Sequence, residues 1–497
     1  AWRLFLAKNH RLRQLTQCSK GRMLRAIGTG EQATYDELQL IATRSIGVEV
    51  YMSVTPRSDA HRIVIVGGGA GGLELASKLG KRFRKRDDVD VVLVDKSLTH
   101  IWKPLLHEVA SGTLNSHHDE LSYLAQANWK DFRFKLGALE SIDRVNKTVS
   151  IAESRGPDGE PFIPARTLRY DTLVIAIGSV TNDFRIPGVA EHCAFLDSRA
   201  QADRFHQQIL RSLYSANAQQ GPLRPGQLHV AIAGAGATGV ELCAELHTSF
   251  HTMVQFGLDR IDPERDFRIH LIEGADRILP GLPPKISAST QRVLERIGVE
   301  VHLGEFVSEA SSEGFMTKSG HFIPAEIKVW AAGIKGPDVL GELDGLEANG
   351  VNQLVVKRTL QTTRDPDIYA LGDCAACAID DQGTLVPPRA QAAHQQATLI
   401  YKSILARMAG KETLPEYEYN DYGSLVNLST HSTVGSLMGN LLSSKKSAMR
   451  IEGFAARLAY RSLYKMHQLA TLGPVRTALM TIADLVTQRS KPRLKLH

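Results

Sequence analysis

Two clusters of glycines, each flanked by a strand-like and a helix-like run, are the residues most suited to chemistry. Gly67, Gly69 and Gly72 form a Gly-x-Gly-x-x-Gly pattern after Arg62-Ile-Val-Ile-Val66, and Gly234, Gly236 and Gly239 repeat it after His229-Val-Ala-Ile-Ala233. In such a unit the first glycine permits a tight turn and the second lets backbone approach a pyrophosphate. The third lets helix and strand pack closely, with the anion held at the helix N-terminus. Each unit is followed by a strand ending in an acid: Asp95 lies 23 residues after Gly72, and Glu273 lies 34 after Gly239. A carboxylate there accepts from a ribose 2′-hydroxyl and repels a 2′-phosphate, so Glu273 favours NADH over NADPH, with Arg277 nearby acting against it.

The two units read as copies. Over the thirteen positions that start at Gly67 and at Gly234, seven are identical, including Glu74 with Glu241 and Leu79 with Leu246. A chance glycine cluster would not bring its strand and helix along, so two dinucleotides are expected, or one and a degenerate copy. The longer spacing in the second unit predicts an insertion around Phe250 to Asp266. Three more runs, Asp171 to Ser179 with Gly178, Val329 to Gly333, and Ile368 to Asp373 with Gly372, read as buried strands ending in turns.

Composition excludes other classes. At about 150 residues per domain, 497 residues imply roughly three domains, and 43% apolar content reads as globular. No run reaches the ~18 uncharged apolar residues of a membrane-spanning helix. Five cysteines, an odd number and mostly widely spaced, argue for a reducing compartment. The basic run Lys81 to Arg86 holds one aromatic and is followed by Asp87 and Asp88, so it reads as a solvated helix end and no nucleic-acid partner is expected. Charge is polarised: residues 1–30 carry seven Lys or Arg and no acid, residues 441–497 carry eleven against two acids, and the body between is acidic.

Together the two glycine motifs, Gly178, Gly333 and Gly372-Asp373 resemble the flavoprotein family with two dinucleotide-binding domains. That resemblance implies FAD on Gly67, Gly69, Gly72, Asp95, Gly178, Gly372 and Asp373, and NADH on Gly234, Gly236, Gly239, Glu273 and Gly333. Disulfide reductases of that family carry a Cys pair after the first unit; here His100 to Gly112 contains no cysteine. That stretch, with Ala390-Gln-Ala-Ala-His-Gln395, resembles type II NADH:quinone oxidoreductases. The resemblance implies hydride transfer from NADH to FAD and two electrons onward to a membrane quinone, without proton pumping. Gln391 and Gln395 would line the quinone pocket, and Glu241 would sit near nicotinamide and flavin. Read on spacing alone, Gln391 and Gln395 are four apart on one helix face and would hydrogen-bond locally.

Glu241, His107 and His394 are candidate proton donors to the quinone, although a lone His is more often structural. Lys103 reads as a surface residue. Cys374-Ala-Ala-Cys377 lacks a second ligand pair and reads as buried packing, so no metal is expected. A sulfide:quinone oxidoreductase would need a catalytic Cys pair at the flavin; a non-enzymatic NADH-sensing flavoprotein would bind NADH without turnover.

The expected fold is α/β: an FAD-binding domain over 61–185 and 334–415, an NADH-binding domain over 186–333, and a membrane-associating helical region over 416–497. Residues 1–60 form an extension, with Met52 as the favoured natural start and a mitochondrial transit segment as the alternative. From Gly473-Pro474 onward, Val475, Ala478, Leu479, Ile482, Leu485 and Val486 follow helical spacing. With the basic, aromatic stretch Phe454 to Leu469 they suit a lipid interface. The expected location is peripheral, on the cytoplasmic face of the bacterial inner membrane, and a homodimer is compatible; helices packed on the flavin domain or on a second subunit are the other reading.

Overall fold

The computed structural model describes residues 59–115, 120–156, 159–429, 431–438, 448–452, 454–487 and 494. Met52, His117-His118 and the basic residues Lys445, Lys446, Arg489, Lys491, Arg493 and Lys495 lie outside them.

The chain builds two larger parallel sheets among several smaller ones, the second inserted into the first. It begins with β1 (His61–Val66), α1 (Ala70–Phe83), β2 (Val89–Asp95), α2 (Leu106–Ser111), β3 (Arg133–Leu136) and β4 (Thr172–Ile175). It then forms α3 (Arg199–Ala218), β5 (His229–Ala233), α4 (Ala237–Gln255), β6 (Arg268–Glu273), β7 (Val299–Leu303) and β8 (Ile327–Trp330). It returns as β9 (Ile368–Ala370) and α5 (Ala390–Met408). The first sheet runs β9-β4-β1-β2-β3 and the second β7-β6-β5-β8, every pair parallel.

Parallel strands covered on both faces read as unbroken apolar runs, and Ile63 to Val66 and Val91 to Val94 are buried throughout. α1 lays Leu73, Leu75, Ala76, Leu79 and Phe83 on this sheet. Its basic last turn, Lys81 and Arg82, complements the carbonyl end of the helix dipole. The extra residues of the second unit extend α4 to 19 residues against 14 in α1, and then form a short helix, Pro263–Asp266. Passage between the sheets runs through one antiparallel ribbon, Val180–Thr181 against Ile334–Lys335. A three-stranded antiparallel sheet, Val307–Ala310, Gly314–Thr317 and Phe322–Pro324, covers one face of the second sheet with Phe315 and Ile323.

The C-terminal region departs from the helical expectation. It opens with an antiparallel meander, β10 (Gly423–Leu428), β11 (Ser432–Met438) and β12 (Ala448–Glu452). Alternate burial of Val426 and Leu428 is a strand period, which a search for helical spacing passes over. Then come α6 (Phe454–Leu472) and α7 (Pro474–Thr487), separated by Gly473 at φ +88° with Pro474 opening the second helix. Their amphipathicity is inverted relative to a packed helix. His467, Gln468, Thr471 and Thr477 are buried, while Leu458, Met466, Val475, Leu479 and Ile482 are each about 60% exposed or more. Among the described residues no helix is long and apolar enough to cross a membrane.

Candidate active site

Both glycine loops are built alike. Gly67 and Gly234 turn at φ +104° and +103°, and a Cβ on either would lie within 3 Å of backbone from the next strand's end. Cβ atoms on Gly72 and Gly239 would lie 1.9 and 2.0 Å from the carbonyl oxygens of Gly67 and Gly234. Those four positions exclude side chains for reasons internal to the fold. At Gly69 and Gly236, the N-caps of α1 and α4, a Cβ would meet nothing within 4 Å, and neither helix end has a side-chain cap. Open space in front of unsatisfied N–H donors fits a pyrophosphate.

The two acids also match, in a way sequence spacing did not disclose. Asp95 Oδ2 accepts from Gly68 N at 2.6 Å and Oδ1 from Ser97 N at 2.8 Å; Glu273 Oε2 accepts from Ala235 N at 2.8 Å and Oε1 from Ala275 N at 3.0 Å. Each carboxylate clasps the residue after the first glycine of its motif, which holds the loop open. Burial pushes the Asp95 carboxyl above its ordinary value, against the pull of those two N–H groups. The Gly68 carbonyl accepts from Tyr123 Oη at 2.8 Å and from His100 Nδ1 at 2.9 Å. His100 Nε2 in turn meets His467 Nε2 of α6 at 2.9 Å, and Trp102 stacks on both Tyr464 and His467. The C-terminal helix thus closes against the first loop.

At the end of β9, Asp373 Oδ2 accepts from Ser179 Oγ at 2.9 Å, next to Gly178 at φ +70°, and its carbonyl accepts from Gln353 Nε2 at 2.9 Å. Lys103 Nζ donates to the Ser179 carbonyl at 3.0 Å and lies 3.7 Å from Asp197, so it is tied into this network and is no bare surface cation. Gly372, at φ +73°, donates its N–H to Gln396 Oε1 at 2.7 Å; Gln396, fully buried on α5, is a positioning residue the motif reading missed. Gly333, at φ +70°, faces the Phe184 ring, 2.6 Å from where a Cβ would stand.

Glu241, on α4, sits apart from its repeat mate Glu74. Its Oε1 accepts from Asn427 N of β10 at 2.9 Å, and Oε2 lies 3.6 Å from His107 Nδ1. Burial, assisted by Glu108 and Glu245, raises its carboxyl well above the ordinary range, which favours the protonated form. Burial holds His107 neutral, at about 4, and its Nε2 has no hydrogen-bond partner among the described residues; neither does the buried Tyr460 hydroxyl of α6. Glu74, by contrast, is paired with Lys78 at 2.6 Å and with His394 Nδ1, which together keep its carboxyl below the ordinary value despite burial.

Gln391 and Gln395 bind the segment that leads into β10. Gln391 Nε2 faces Tyr419 Oη, Asp421 Oδ1 and the Gly423 carbonyl at 3.2 to 3.3 Å, and its Oε1 accepts from Tyr422 N at 3.1 Å. Gln395 exchanges bonds with the Asn420 backbone at 2.8 and 3.1 Å. Their partners are therefore a different segment and not each other. Cys374 and Cys377 are buried, and burial pushes both thiols up to about 11.

Residues 61–397 match the pyridine nucleotide-disulphide oxidoreductase family. A type II NADH:quinone oxidoreductase of Haemophilus influenzae is 43% identical over 447 residues, covering 88% of this chain and 99% of its own length. One of Staphylococcus aureus is 26% identical over 410 residues, covering 81% and 96%. An NDH2 from Plasmodium falciparum, solved in complex with NADH, shares the fold with a TM-score of 0.73 at 19% identity, over 88% of this chain and all of its own. A sulfide:quinone oxidoreductase of Aquifex aeolicus shares it at 0.62 and 17%, over 87% and 96%.

Proposed function

As the chain belongs to the type II NADH:quinone oxidoreductase family, we propose that it oxidises NADH and reduces a quinone through bound FAD. The observation that carries the reading is the duplicated cradle: two loops with the same excluded and open positions, each clasped by its own acid. FAD belongs on Gly67, Gly69, Gly72 and Asp95 with Gly178, Gly372 and Asp373, and NADH on Gly234, Gly236, Gly239 and Glu273 with Gly333. When bound, FAD supplies the two-electron step, accepting hydride from NADH and passing electrons to quinone. The chain supplies position, dryness and protons.

Gln391 suits a carbonyl ligand because its amide nitrogen has two hydrogens and faces three loose acceptors, so one donor can turn to a quinone oxygen without orphaning its neighbours. Gln395 holds the segment on which Gln391 leans. Of the three proton-donor candidates, His107 is neutral and His394 is committed to Glu74, whereas burial favours the protonated form of the Glu241 carboxyl. No described cysteine suits a sulfide reaction, since the two nearest Asp373 are buried thiols and thiolate is the nucleophile.

The outward apolar faces of α6 and α7 lie against lipid headgroups, with the protein peripheral on the cytoplasmic face of a bacterial inner membrane. Because α6 also closes on the first glycine loop, deleting it would disturb FAD as well as the membrane face. The test is turnover by the pure FAD-loaded protein with NADH and a short-chain quinone. Rapid NADH-dependent quinone reduction that slows in Gln391→Ala, with flavin bleaching by NADH unchanged, is the expected result. Bleaching without quinone turnover, or turnover driven by sulfide, would overturn the reading.

A further inference from the structure

Away from both glycine loops, the second sheet carries a row of imidazoles. In parallel pairing Ala231 lies opposite His270, and His270 opposite Glu300. Since side chains two apart share a face, His229, His270, Glu300 and His302 all stand on one face of three adjacent strands. His270 Nδ1 is 3.3 Å from His302 Nε2 and 3.3 Å from Glu300 Oε2, while His270 Nε2 is 3.3 Å from His229 Nδ1. The third ligand-to-ligand distance, His302 to Glu300, is within 4.8 Å.

Tautomer counting turns one His270 lone pair into this cluster. The His229 ring is hydrogen-bonded to the Pro324 backbone, whose carbonyl needs a donor. A neutral imidazole has one N–H, so the other His229 nitrogen, Nδ1, accepts, and its proton comes from His270 Nε2. His270 Nδ1 then presents a lone pair, with His302 Nε2 and Glu300 Oε2 each 3.3 Å from it. Two imidazole nitrogens and a carboxylate oxygen thus converge on one point, as ligands of a metal cation do. The spacing fits as well: bonds of about 2.0 to 2.1 Å in a tetrahedron set ligand atoms about 3.3 Å apart, the value found on two of the three edges.

We propose that His270 Nδ1, His302 Nε2 and a Glu300 carboxylate oxygen bind a divalent transition-metal ion of the zinc class, with His229 as the outer partner that fixes the His270 tautomer. Two imidazoles and a carboxylate suit Zn²⁺, Co²⁺, Ni²⁺ or Cu²⁺ and not Mg²⁺ or Ca²⁺. Because Glu300 and the His302 edge are partly open to solvent, water completes the coordination. The site lies on the strands before their glycine-loop ends, three residues ahead of Glu273 on β6, so it does not compete with dinucleotide.

The experiment titrates Co²⁺ into chelator-treated, FAD-loaded full-length protein and reads its visible d–d bands at wavelengths beyond flavin absorption, with Zn²⁺ as competitor. One equivalent with a tetrahedral or five-coordinate spectrum, displaced by Zn²⁺, is expected. His302→Gln, at a partly exposed position, abolishes that spectrum. His229→Phe, which removes only the outer partner, weakens affinity about 10- to 100-fold. Absence of saturable binding overturns the proposal. So does binding that survives both His302→Gln and Glu300→Gln, or that disappears when Cys374 and Cys377 are replaced by serine.

Discussion

Gly236→Ala separates a cofactor cradle from a packing constraint. In the folded chain the added methyl meets no atom within 4 Å, and φ −71° with ψ −175° is extended backbone that alanine adopts readily. Removing a glycine at a compatible position stabilises by about 0.4 to 1 kcal/mol through the unfolded chain, which offsets the poorer capping by alanine at this N-cap, so this variant melts near the wild-type temperature. The methyl does occupy the space through which a pyrophosphate reaches the α4 N–H groups. Losing one hydrogen bond to a charged group costs about 1.5 to 3 kcal/mol, or roughly 10- to 150-fold in Kd. The assay is flavin bleaching followed rapidly against NADH concentration, which yields the dissociation constant for NADH, with FAD content and thermal melting measured on the same sample. FAD content should not change, since Gly69 is untouched. Gly239→Ala is the contrast: its methyl would lie 2.0 Å from the Gly234 carbonyl oxygen, so it lowers stability first. Unaltered NADH affinity in Gly236→Ala, or a marked loss of its stability, would refute the reasoning.

Further outcomes follow from the same geometry. Glu273→Gln keeps an acceptor for Ala235 N but removes the charge, worth about 1 to 4 kcal/mol against a phosphate; the ratio of kcat/KM for NADPH to that for NADH should rise at least fivefold, and an unchanged ratio would place the ribose elsewhere. Glu241 has a raised carboxyl pKa in the fold, so its contribution to stability is complete below the unfolded value and is lost as pH rises towards the folded one. Glu241→Gln should therefore gain stability relative to wild type as pH rises above the ordinary carboxyl range, while quinone reduction falls; parallel melting curves from acid to neutral pH would contradict it. Leu479→Glu with Ile482→Glu removes two apolar side chains that are 62% and 59% exposed. At about 1.5 kcal/mol each, partitioning onto anionic vesicles should drop about 100-fold, with short-chain quinone activity in detergent retained; undiminished sedimentation with vesicles would remove lipid as the partner of that face.

Legibility in the sequence tracked how local each cause was. The glycine loops, their strands and the Asp95 and Glu273 termini are set within one strand-turn-helix unit, so spacing alone located them. Partnerships made across the fold were not legible. Asn427 reaches Glu241 from 186 residues away, and His467 reaches His100 from 367. Nothing near Gln391 in the chain announces that its amide is shared among Tyr419, Asp421 and Gly423. The four residues of the imidazole row are scattered one or two per strand over 74 positions and acquire proximity only from strand register, which no ligand-spacing pattern captures. The helices α6 and α7 were recognisable by period, but period does not say which face turns inward. The packing side was chosen by His467 and Tyr464, which find aromatic and hydrogen-bonding partners in His100 and Trp102.

The ribbon between Val180–Thr181 and Ile334–Lys335 makes the second nucleotide-binding unit a cassette. Entry and exit strands paired side by side are about 5 Å apart, a gap that one or two residues close. The host sheet keeps β4 and β9 adjacent and in register across the insertion, while α2 and β10 of the host share the apolar core of the inserted unit through Leu106, Val109, Val426 and Leu428. Two adjacent crossing points are also what the insertion of one copied mononucleotide fold into another would leave behind. The seven identities in the two thirteen-residue stretches fit such a copy, and α1 and α4 differ in length by five residues.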